Sequence, residues 1–339
     1  MANTAKRRWS RELESEVDGA AFGSSGPVLL HGYDPPAGGK WVDDVIPGKL
    51  GAYDRSTGEV LWHVPCEVGY GRGFGAGVGP TGQVMVLGPT QGGHRIVRQS
   101  MTDGELLETA DIPAFDGAVV TAERVICVSA GRVFSLDTSD LSESWSYSRE
   151  GERYHSVVLT GDRAIVIFST KQGQGVLALD AETGASEGIL MTPAEPCIQA
   201  LVTTSDVLIL LTSDLDRVLP PESIGDYVES LMAHEEGGAT DTLSLLALRA
   251  DGKAGDKPLW LSVLETTRLD DLPSASITAD GGKLYLERGA HLQALDALTG
   301  RPLGEWTVPG LDEQIAWSVV DGAGLLAEET RVSVFELPA

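Results

Sequence analysis

The chain has 339 residues, of which 42% are apolar and 22% are charged, so it can bury a core and is expected to be folded. Its 50 acidic and 25 basic residues give a net charge of −25, which argues against nucleic acid and anionic membrane surfaces as partners. The 41 glycines indicate many tight turns.

The N-terminal segment, residues 1–12, is basic but lacks the apolar stretch of a secretory signal peptide. No stretch of the sequence approaches the roughly 18 apolar residues that a membrane-spanning helix needs. We therefore expect a cytoplasmic protein with a flexible tail at residues 1–7 and a single domain at residues 8–339.

The three cysteines, Cys66, Cys127 and Cys197, are widely spaced and form no C-x-x-C pair. This odd number at wide spacing favours neither a disulfide framework nor a zinc site. Cys127 lies in an apolar run, where we expect it to act as a small core residue.

A short motif recurs along the chain and predicts a hairpin. A strand that ends in Asp-x-x-Thr-Gly occurs at residues 51–58, 177–184 and 293–300, and degenerate copies occur at 97–104, 134–137 and 246–249. Tryptophan follows most copies, as Trp62 follows the first. The Asp and Thr side chains can accept hydrogen bonds from the backbone of the turn, and glycine can adopt positive φ. Each motif is therefore expected to join the third strand of a unit to its fourth.

Two further strands precede each motif, as at residues 117–121 and 124–128, so that each unit has four strands. The residue that follows the first strand recurs with a base period of about 40 residues, the length of a four-stranded propeller blade. Its seven occurrences are Ser24, Gly79, Thr121, Thr160, Thr203, Thr278 and Val320. The sequence thus predicts an all-β fold, a seven-bladed β-propeller of four-stranded blades.

The last unit ends the chain on its third strand, at residues 330–337, and lacks both the turn and the tryptophan strand. Residues 8–13, which contain Trp9, resemble the missing fourth strand. We expect this N-terminal strand to pair beside the C-terminal strand and close the ring, because closure protects both edges.

The strand that ends in Asp-x-x-Thr-Gly, followed by tryptophan, resembles the repeat of the quinoprotein-like (PQQ-repeat-like) β-propeller superfamily over nearly the whole chain. That superfamily includes the pyrroloquinoline-quinone dehydrogenases and the lipoprotein propeller of the outer-membrane assembly machine. The resemblance implies the propeller fold, but a fold alone does not assign a function. The calcium site of the dehydrogenases uses Asp, Glu and Asn side chains, whereas Asn3 in the tail is the only asparagine here. We therefore expect neither a quinone cofactor nor a metal ion.

Two units carry insertions between their second and third strands, at about residues 33–47 and 214–242. In a propeller these connections open on the same face as the connections between blades, and loops usually carry the specific contacts. In the second insertion, Ser223 precedes apolar residues spaced i, i+3, i+4, i+7, which predicts a short amphipathic helix. Its residues Tyr227, Leu231 and Met232 are candidate contacts for a protein partner. The alternative is that the apolar stripe packs on the propeller rim.

One residue of each unit, just before its inner strand, is expected at the mouth of the central channel. These residues are Asp18, Phe74, Asp116, His155, Gln199, Ser274 and Gln314. Tyr70, Arg72 and Tyr154 are predicted in the adjoining loops, and the glycines around Arg72 would let a ligand approach the backbone closely. The candidate ligand-binding residues are Trp41, Tyr70, Arg72, Phe74, Tyr154, His155, Gln199 and Gln314.

We expect a non-catalytic binding propeller whose elaborated face holds a protein partner or a small ligand. The alternative is a small-molecule enzyme, such as a lyase, cyclase or hydrolase of a specialised pathway, with its pocket at the channel mouth. Asp116, His155 and Arg72 are then the candidate catalytic residues, because a histidine beside carboxylates suits acid–base chemistry. Both functions stay open on the sequence alone.

Overall fold

The structure is a computed structural model that describes residues 3–22, 26–34, 46, 48–69, 75–78, 82–194, 197–204, 206–213, 243–264, 277–311 and 316–337. Within these ranges the strands form seven sheets, and each sheet is one blade of a propeller. Two strands precede the first blade, β1 (Asn3–Thr4) and β2 (Lys6–Glu12).

The blades follow in chain order. Blade 1 contains β3 (Glu16–Phe22), β4 (Val28–Tyr33), β5 (Gly48–Tyr53) and β6 (Val60–Cys66), and blade 2 contains β7 (Gly75–Val78), β8 (Gln83–Thr90), β9 (Gly93–Ser100) and β10 (Leu106–Ile112). Blade 3 contains β11 (Gly117–Val120), β12 (Arg124–Ser129), β13 (Arg132–Asp137) and β14 (Glu143–Tyr147), and blade 4 contains β15 (Arg153–Thr160), β16 (Arg163–Thr170), β17 (Gly173–Asp180) and β18 (Ser186–Ala194). Blade 5 contains β19 (Cys197–Thr203), β20 (Val207–Ser213), β21 (Leu243–Arg249) and β22 (Trp260–Leu264). Blade 6 contains β23 (Ile277–Asp280), β24 (Lys283–Arg288), β25 (His291–Asp296) and β26 (Pro302–Thr307), and blade 7 contains β27 (Ala316–Val320), β28 (Ala323–Ala327) and β29 (Arg331–Glu336).

The seven sheets form a closed ring. In blades 1 to 6 the strands lie in chain order from the inner strand to the outer strand. The inner strands β3, β7, β11, β15, β19, β23 and β27 contact one another in that order, and β27 contacts β3. The predicted seven-bladed β-propeller of four-stranded blades is therefore confirmed.

Blade 7 takes its outer strand from the N-terminus. β2 pairs antiparallel with β29, from Lys6 opposite Glu336 to Glu12 opposite Arg331, which confirms the predicted closure. In addition, β1 pairs parallel with β26 and adds a fifth strand to the outer edge of blade 6. Residues of the segment predicted as a flexible tail therefore lie in two strands, because the edge of β26 offers backbone groups that β1 can pair with.

The core lies between the sheets. An apolar cluster that includes Ile126, Val166 and Leu177 joins blades 3 and 4, and the other neighbouring blades meet in the same way. Central strands are therefore apolar on both faces, as in β8, where Val84 and Leu87 are fully buried.

A tryptophan of the outer strand holds the turn of the next blade at four of the blade junctions. The indole N–H donates to a carbonyl of that turn, in the pairs Trp9 with Arg55, Trp62 with Met101, Trp145 with Ala181 and Trp260 with Ala297, at N···O distances of 2.9 to 3.1 Å. The glycine of the turn has positive φ and lies against the indole ring, at Gly58, Gly104, Gly184 and Gly300. The motif thus shapes its own hairpin and also joins two blades.

Replacing Gly184 with alanine is expected to lower the free energy of unfolding by about 2–4 kcal/mol, from strain at positive φ together with overpacking. The φ of Gly184 is +70°, and an added Cβ would lie 2.5 Å from Cε3 of Trp145. Gly161 is the matched control, since its φ is +59° and nothing lies within 4 Å of an added Cβ, so Gly161→Ala should cost only about 1–2 kcal/mol. Urea unfolding of the two variants makes the comparison, and equal losses would contradict the role of the tryptophan contact.

Candidate functional site

The first long connection leaves blade 1 at the end where the inner strand begins. β3 begins at Glu16, which pairs with Tyr33, the last residue of β4. Tyr33 in turn pairs with Gly48, the first residue of β5. Residues 34–47 therefore connect β4 to β5 on the face where the inner strands begin, which we call the entry face.

The second long connection opens on the same face. β20 ends at Ser213, which pairs with Cys197 at the start of β19 and with Leu243 at the start of β21. The corresponding connections are two-residue turns in blades 2, 3, 4 and 6 and have three residues in blade 7. Blades 1 and 5 are therefore the elaborated ones, and of residues 34–47 and 214–242 the structure describes Asp34 and Ile46.

Three of the residues predicted at the channel mouth occupy β-bulges. The register shifts at Asp18 in β3, at His155 in β15 and at Gln199 in β19, and each is the third residue of its strand. A bulge leaves one residue outside the regular ladder and turns its side chain to a new direction. Blades 1, 4 and 5 thus place equivalent residues on the entry face.

Asp116 and His155 come from neighbouring blades. Asp116 directly precedes β11, and a Cβ added to the next residue, Gly117, would lie 3.8 Å from the carbonyl oxygen of His155. Both side chains are exposed, and His155 Nε2 lies 2.7 Å from Ser169 Oγ. A carboxylate and an imidazole thus stand at the same rim, where either could contact a bound molecule, and their functional roles stay predictions.

Tyr154 lies elsewhere than predicted. It belongs to β15 rather than to an adjoining loop, its ring is 1% exposed, and it meets Tyr147 edge to face at 6.0 Å between blades 3 and 4. Its hydroxyl donates to Glu152 at 3.0 Å, and burial raises the pKa of the phenol. The side chain of Tyr154 lies in the core, whereas His155, the bulge residue that follows it, is exposed.

The other predicted site residues lie outside the described part of the chain. They are Trp41, Tyr70, Arg72, Phe74, Ser274, Gln314, Tyr227, Leu231 and Met232, and the side chain of Gln199 also lies outside it. Their roles therefore stay predictions.

A buried ion pair supports the bulge of blade 1, and sequence reasoning missed it. His31 of β4 is 1% exposed, and its Nδ1 bonds to Oδ1 of Asp18. Its Nε2 lies 3.1 Å from the carbonyl oxygen of Val68, which can only accept a hydrogen bond, so Nε2 carries a proton. His31 thereby ties the inner strand of blade 1 to the segment that leads to blade 2.

His31 is a fixed positive charge at neutral pH. Burial by itself lowers the pKa of His31, but hydrogen bonds with Asp18 and Cys66 and their charges outweigh burial and raise the pKa to about 10. Oδ2 of Asp18 is buried without a hydrogen-bond partner among the described residues. The site therefore keeps one unused acceptor beside the entry face, at an energetic cost.

The sequence carried only a weak signal for this pair. His31 follows the apolar residues Val28, Leu29 and Leu30, and a histidine that continues such a run is expected to need a buried partner. The identity of that partner depends on the register between β3 and β4 and on the bulge at Asp18, which composition and periodicity do not show.

The remaining reactive groups are dispersed. Within the described ranges, no three His, Cys, Asp or Glu side chains are grouped so that they could hold a metal ion. Cys66 and Cys127 are both buried free thiols, and burial raises the pKa of Cys127 to about 12.

In the part of the chain that the structure describes, no helix is long and apolar enough to cross a membrane.

The seven four-stranded sheets define the class of this protein as a seven-bladed β-propeller, and the resemblance of its turn motif to the quinoprotein-like (PQQ-repeat-like) repeat agrees with a family match over part of the chain. Residues 47–196, from the third strand of blade 1 to the end of blade 4, match the family described as outer membrane protein assembly factor BamB. No curated protein sequence matches the chain.

Three solved structures are similar to nearly the whole chain. BamB from Moraxella catarrhalis is 15% identical, with a TM-score of 0.52 and coverage of 98% of this chain and 100% of that one. The computationally designed Ika8 protein is 13% identical, with a TM-score of 0.57 and the same coverage. The WD40 domain of Neurospora crassa Pan2 is 10% identical, with a TM-score of 0.63 and coverage of 99% and 98%. At these identities the likeness concerns the fold alone.

Proposed function

We propose that this protein is a non-catalytic binding propeller that holds a partner protein on its entry face. The proposal rests on one observation: blades 1 and 5 have long connections on that face, where the other blades turn in two or three residues. Loops on a rigid scaffold are where binding residues concentrate. The match to a family described as an assembly factor is compatible with this role.

The predicted contacts divide between two parts of this face. Tyr227, Leu231 and Met232 of the blade 5 connection would form an apolar anchor for the partner. The candidate ligand-binding residues other than the buried Tyr154 would contact the same partner or a small ligand, and they are Trp41, Tyr70, Arg72, Phe74, His155, Gln199 and Gln314. A cytoplasmic location stays a prediction from the sequence.

Replacing residues 218–238 with a short Gly-Ser linker tests the proposal. A protein that co-purifies with the wild type in native mass spectrometry is expected to be lost, or to bind at least about tenfold more weakly, as for removal of a binding hot spot. The double variant Tyr227→Ser/Leu231→Ser should weaken binding in the same direction without shortening the chain.

The matched control lies on the opposite face of the same blade. Lys253 and Lys257 are exposed in the connection between β21 and β22, so Lys253→Ser/Lys257→Ser should leave the partner bound. If the linker variant still binds the partner, binding through the blade 5 connection is contradicted. It is also contradicted if the Lys253→Ser/Lys257→Ser control loses the partner together with the linker variant.

A further inference from the structure

A cavity of about 550 Å³ lies at blade 1, on the side of its sheet where Leu30 and Tyr53 pack toward blade 7. The segment that follows β2 contributes Leu13 and Ser15, and the sheet of blade 1 contributes Leu30, Gly51 and Tyr53. This volume falls in the range of about 300–1,000 Å³ that is typical of small-molecule sites. The inference from it goes beyond the entry-face function and does not depend on it.

Gly51 forms part of the cavity wall beside the His63 ring. It lies in β5 opposite His63 of β6, and an added Cβ would lie 2.6 Å from Cδ2 of His63 and 3.0 Å from Cε2 of Tyr53. The lack of a side chain at Gly51 therefore leaves room for the His63 and Tyr53 rings beside it.

Other blades fill the equivalent position. Counted back three residues from the start of the turn, Gly51 corresponds to Phe134 in blade 3, Leu177 in blade 4 and Leu246 in blade 5. Phe134 and Leu177 are buried against the preceding blade. In blade 1 the His63 ring lies where such a side chain would begin.

The Tyr53 and His63 pair in the cavity wall is uncharged. Tyr53 is 3% exposed, and its hydroxyl lies 2.6 Å from Nε2 of His63, which is exposed at the cavity mouth. Burial, assisted by the charge of Arg11, lowers the pKa of His63, so the imidazole is neutral at physiological pH. Burial also raises the pKa of Tyr53, which keeps the phenol protonated.

Lys49 and Asp34 at the rim pair with each other. Lys49 Nζ lies 2.7 Å from a carboxylate oxygen of Asp34, and Ser15 Oγ donates to the same carboxylate at 2.9 Å. The positive charge of Arg11 lowers the pKa of both Tyr53 and His63, and the negative charge of Glu14 raises it. These two charges therefore oppose each other at the Tyr53 and His63 pair.

We infer that this cavity binds a small, uncharged and largely apolar organic molecule that carries one hydrogen-bonding group. Its apolar part lies against Leu13 and Leu30, which line the cavity. Its hydroxyl or amide group bonds to the Tyr53 and His63 pair, which can both donate and accept.

The test measures binding of indole, 4-methylphenol and benzamide by ligand-observed NMR titration, with benzoate and benzylamine as charged analogues. The wild type should bind at least one uncharged probe saturably at a single site, at least about tenfold more tightly than either charged analogue. The variant Gly51→Leu/His63→Ile copies the pair of Leu177 opposite Ile189 in blade 4 and should weaken that binding at least about tenfold.

Two further variants keep the outcome interpretable. Leu61→Ser changes a half-exposed residue of the same strand as His63 and should bind the probes as the wild type does. Leu13→Trp fills the cavity from the blade 7 side and should abolish binding even if the double variant does not fold. The inference is overturned if no uncharged probe binds saturably, if a charged analogue binds more tightly, or if folded cavity-filling variants bind as the wild type does. Binding of the partner protein is measured on a different variant, in which a Gly-Ser linker replaces residues 218–238. Each proposal can therefore fail without the other.

Discussion

Replacing Trp9 with alanine is expected to lower the free energy of unfolding by about 3–5 kcal/mol, the usual cost of truncating a buried tryptophan. Trp9 is 8% exposed and is buried with Leu325 and Val334 between blade 7 and blade 1. Its ring lies against Gly58, and its indole N–H donates to Arg55 at 2.9 Å. The side chain therefore links the N-terminal strand to the first blade as well as to the last.

The same variant should loosen the ring at its junction. With the indole gone, β2 keeps its backbone pairing with β29 but loses its main apolar contact, so trypsin should cleave after Arg11 faster than in the wild type. Arg8→Ala is the matched control on the same strand, because Arg8 makes an exposed ion pair with Glu336 at 3.0 Å and should cost at most about 1 kcal/mol. Urea unfolding that shows equal losses for the two variants would contradict the assigned role of Trp9.

Replacing His31 with leucine is expected to cost about 3–5 kcal/mol at neutral pH, because it leaves the Asp18 carboxylate buried without its partner. The side chain of Asp18 is 8% exposed, so water compensates little. The double variant His31→Leu/Asp18→Leu removes both charges and should recover most of the loss. Unfolding free energies of the wild type and both variants give the comparison.

The stability of the wild type should also depend on pH through His31. The pKa of His31 is about 10 in the folded protein and about 6.5 when unfolded, so the folded state holds the proton more tightly. The stabilisation is therefore complete below about pH 6.5 and is lost as the pH rises towards 10.

A difference measurement isolates this effect. Burial also raises the pKa of Cys127, which adds a loss of stability above about pH 9 in every variant, because the folded state keeps that thiol protonated as well. The stability of the wild type minus that of the double variant should thus decline between pH 6.5 and 10. A difference that stays constant over this interval would show that His31 is not charged in the folded protein.

The motif that revealed the fold is local in its physics. The Asp54, Asp180 and Asp296 carboxylates accept hydrogen bonds from backbone N–H groups two or three residues further on. Gly58 and its counterparts supply positive φ in the same turn. Such short-range interactions fix the spacing of residues within each motif, so the blade number, the strand order and the lack of a fourth strand after residues 330–337 could all be inferred.

The channel-mouth alignment was only partly predictable. Alignment of the inner strands brought Asp18, His155 and Gln199 to equivalent positions just before those strands, whereas each is the third residue of its strand, at a register shift. Tyr154 was placed in a loop because a bulge shifts the alternation of side chains, and periodicity does not show where a bulge lies.

The sequence by itself determined the seven-bladed ring and its closure through Trp9, because both follow from short-range motifs that are repeated along the chain. Only the tertiary structure decided that His31 pairs with Asp18 and that a cavity lies beside Tyr53 and His63 of the first blade. Both features depend on the register of paired strands and on where that register shifts, and residue spacing contains neither.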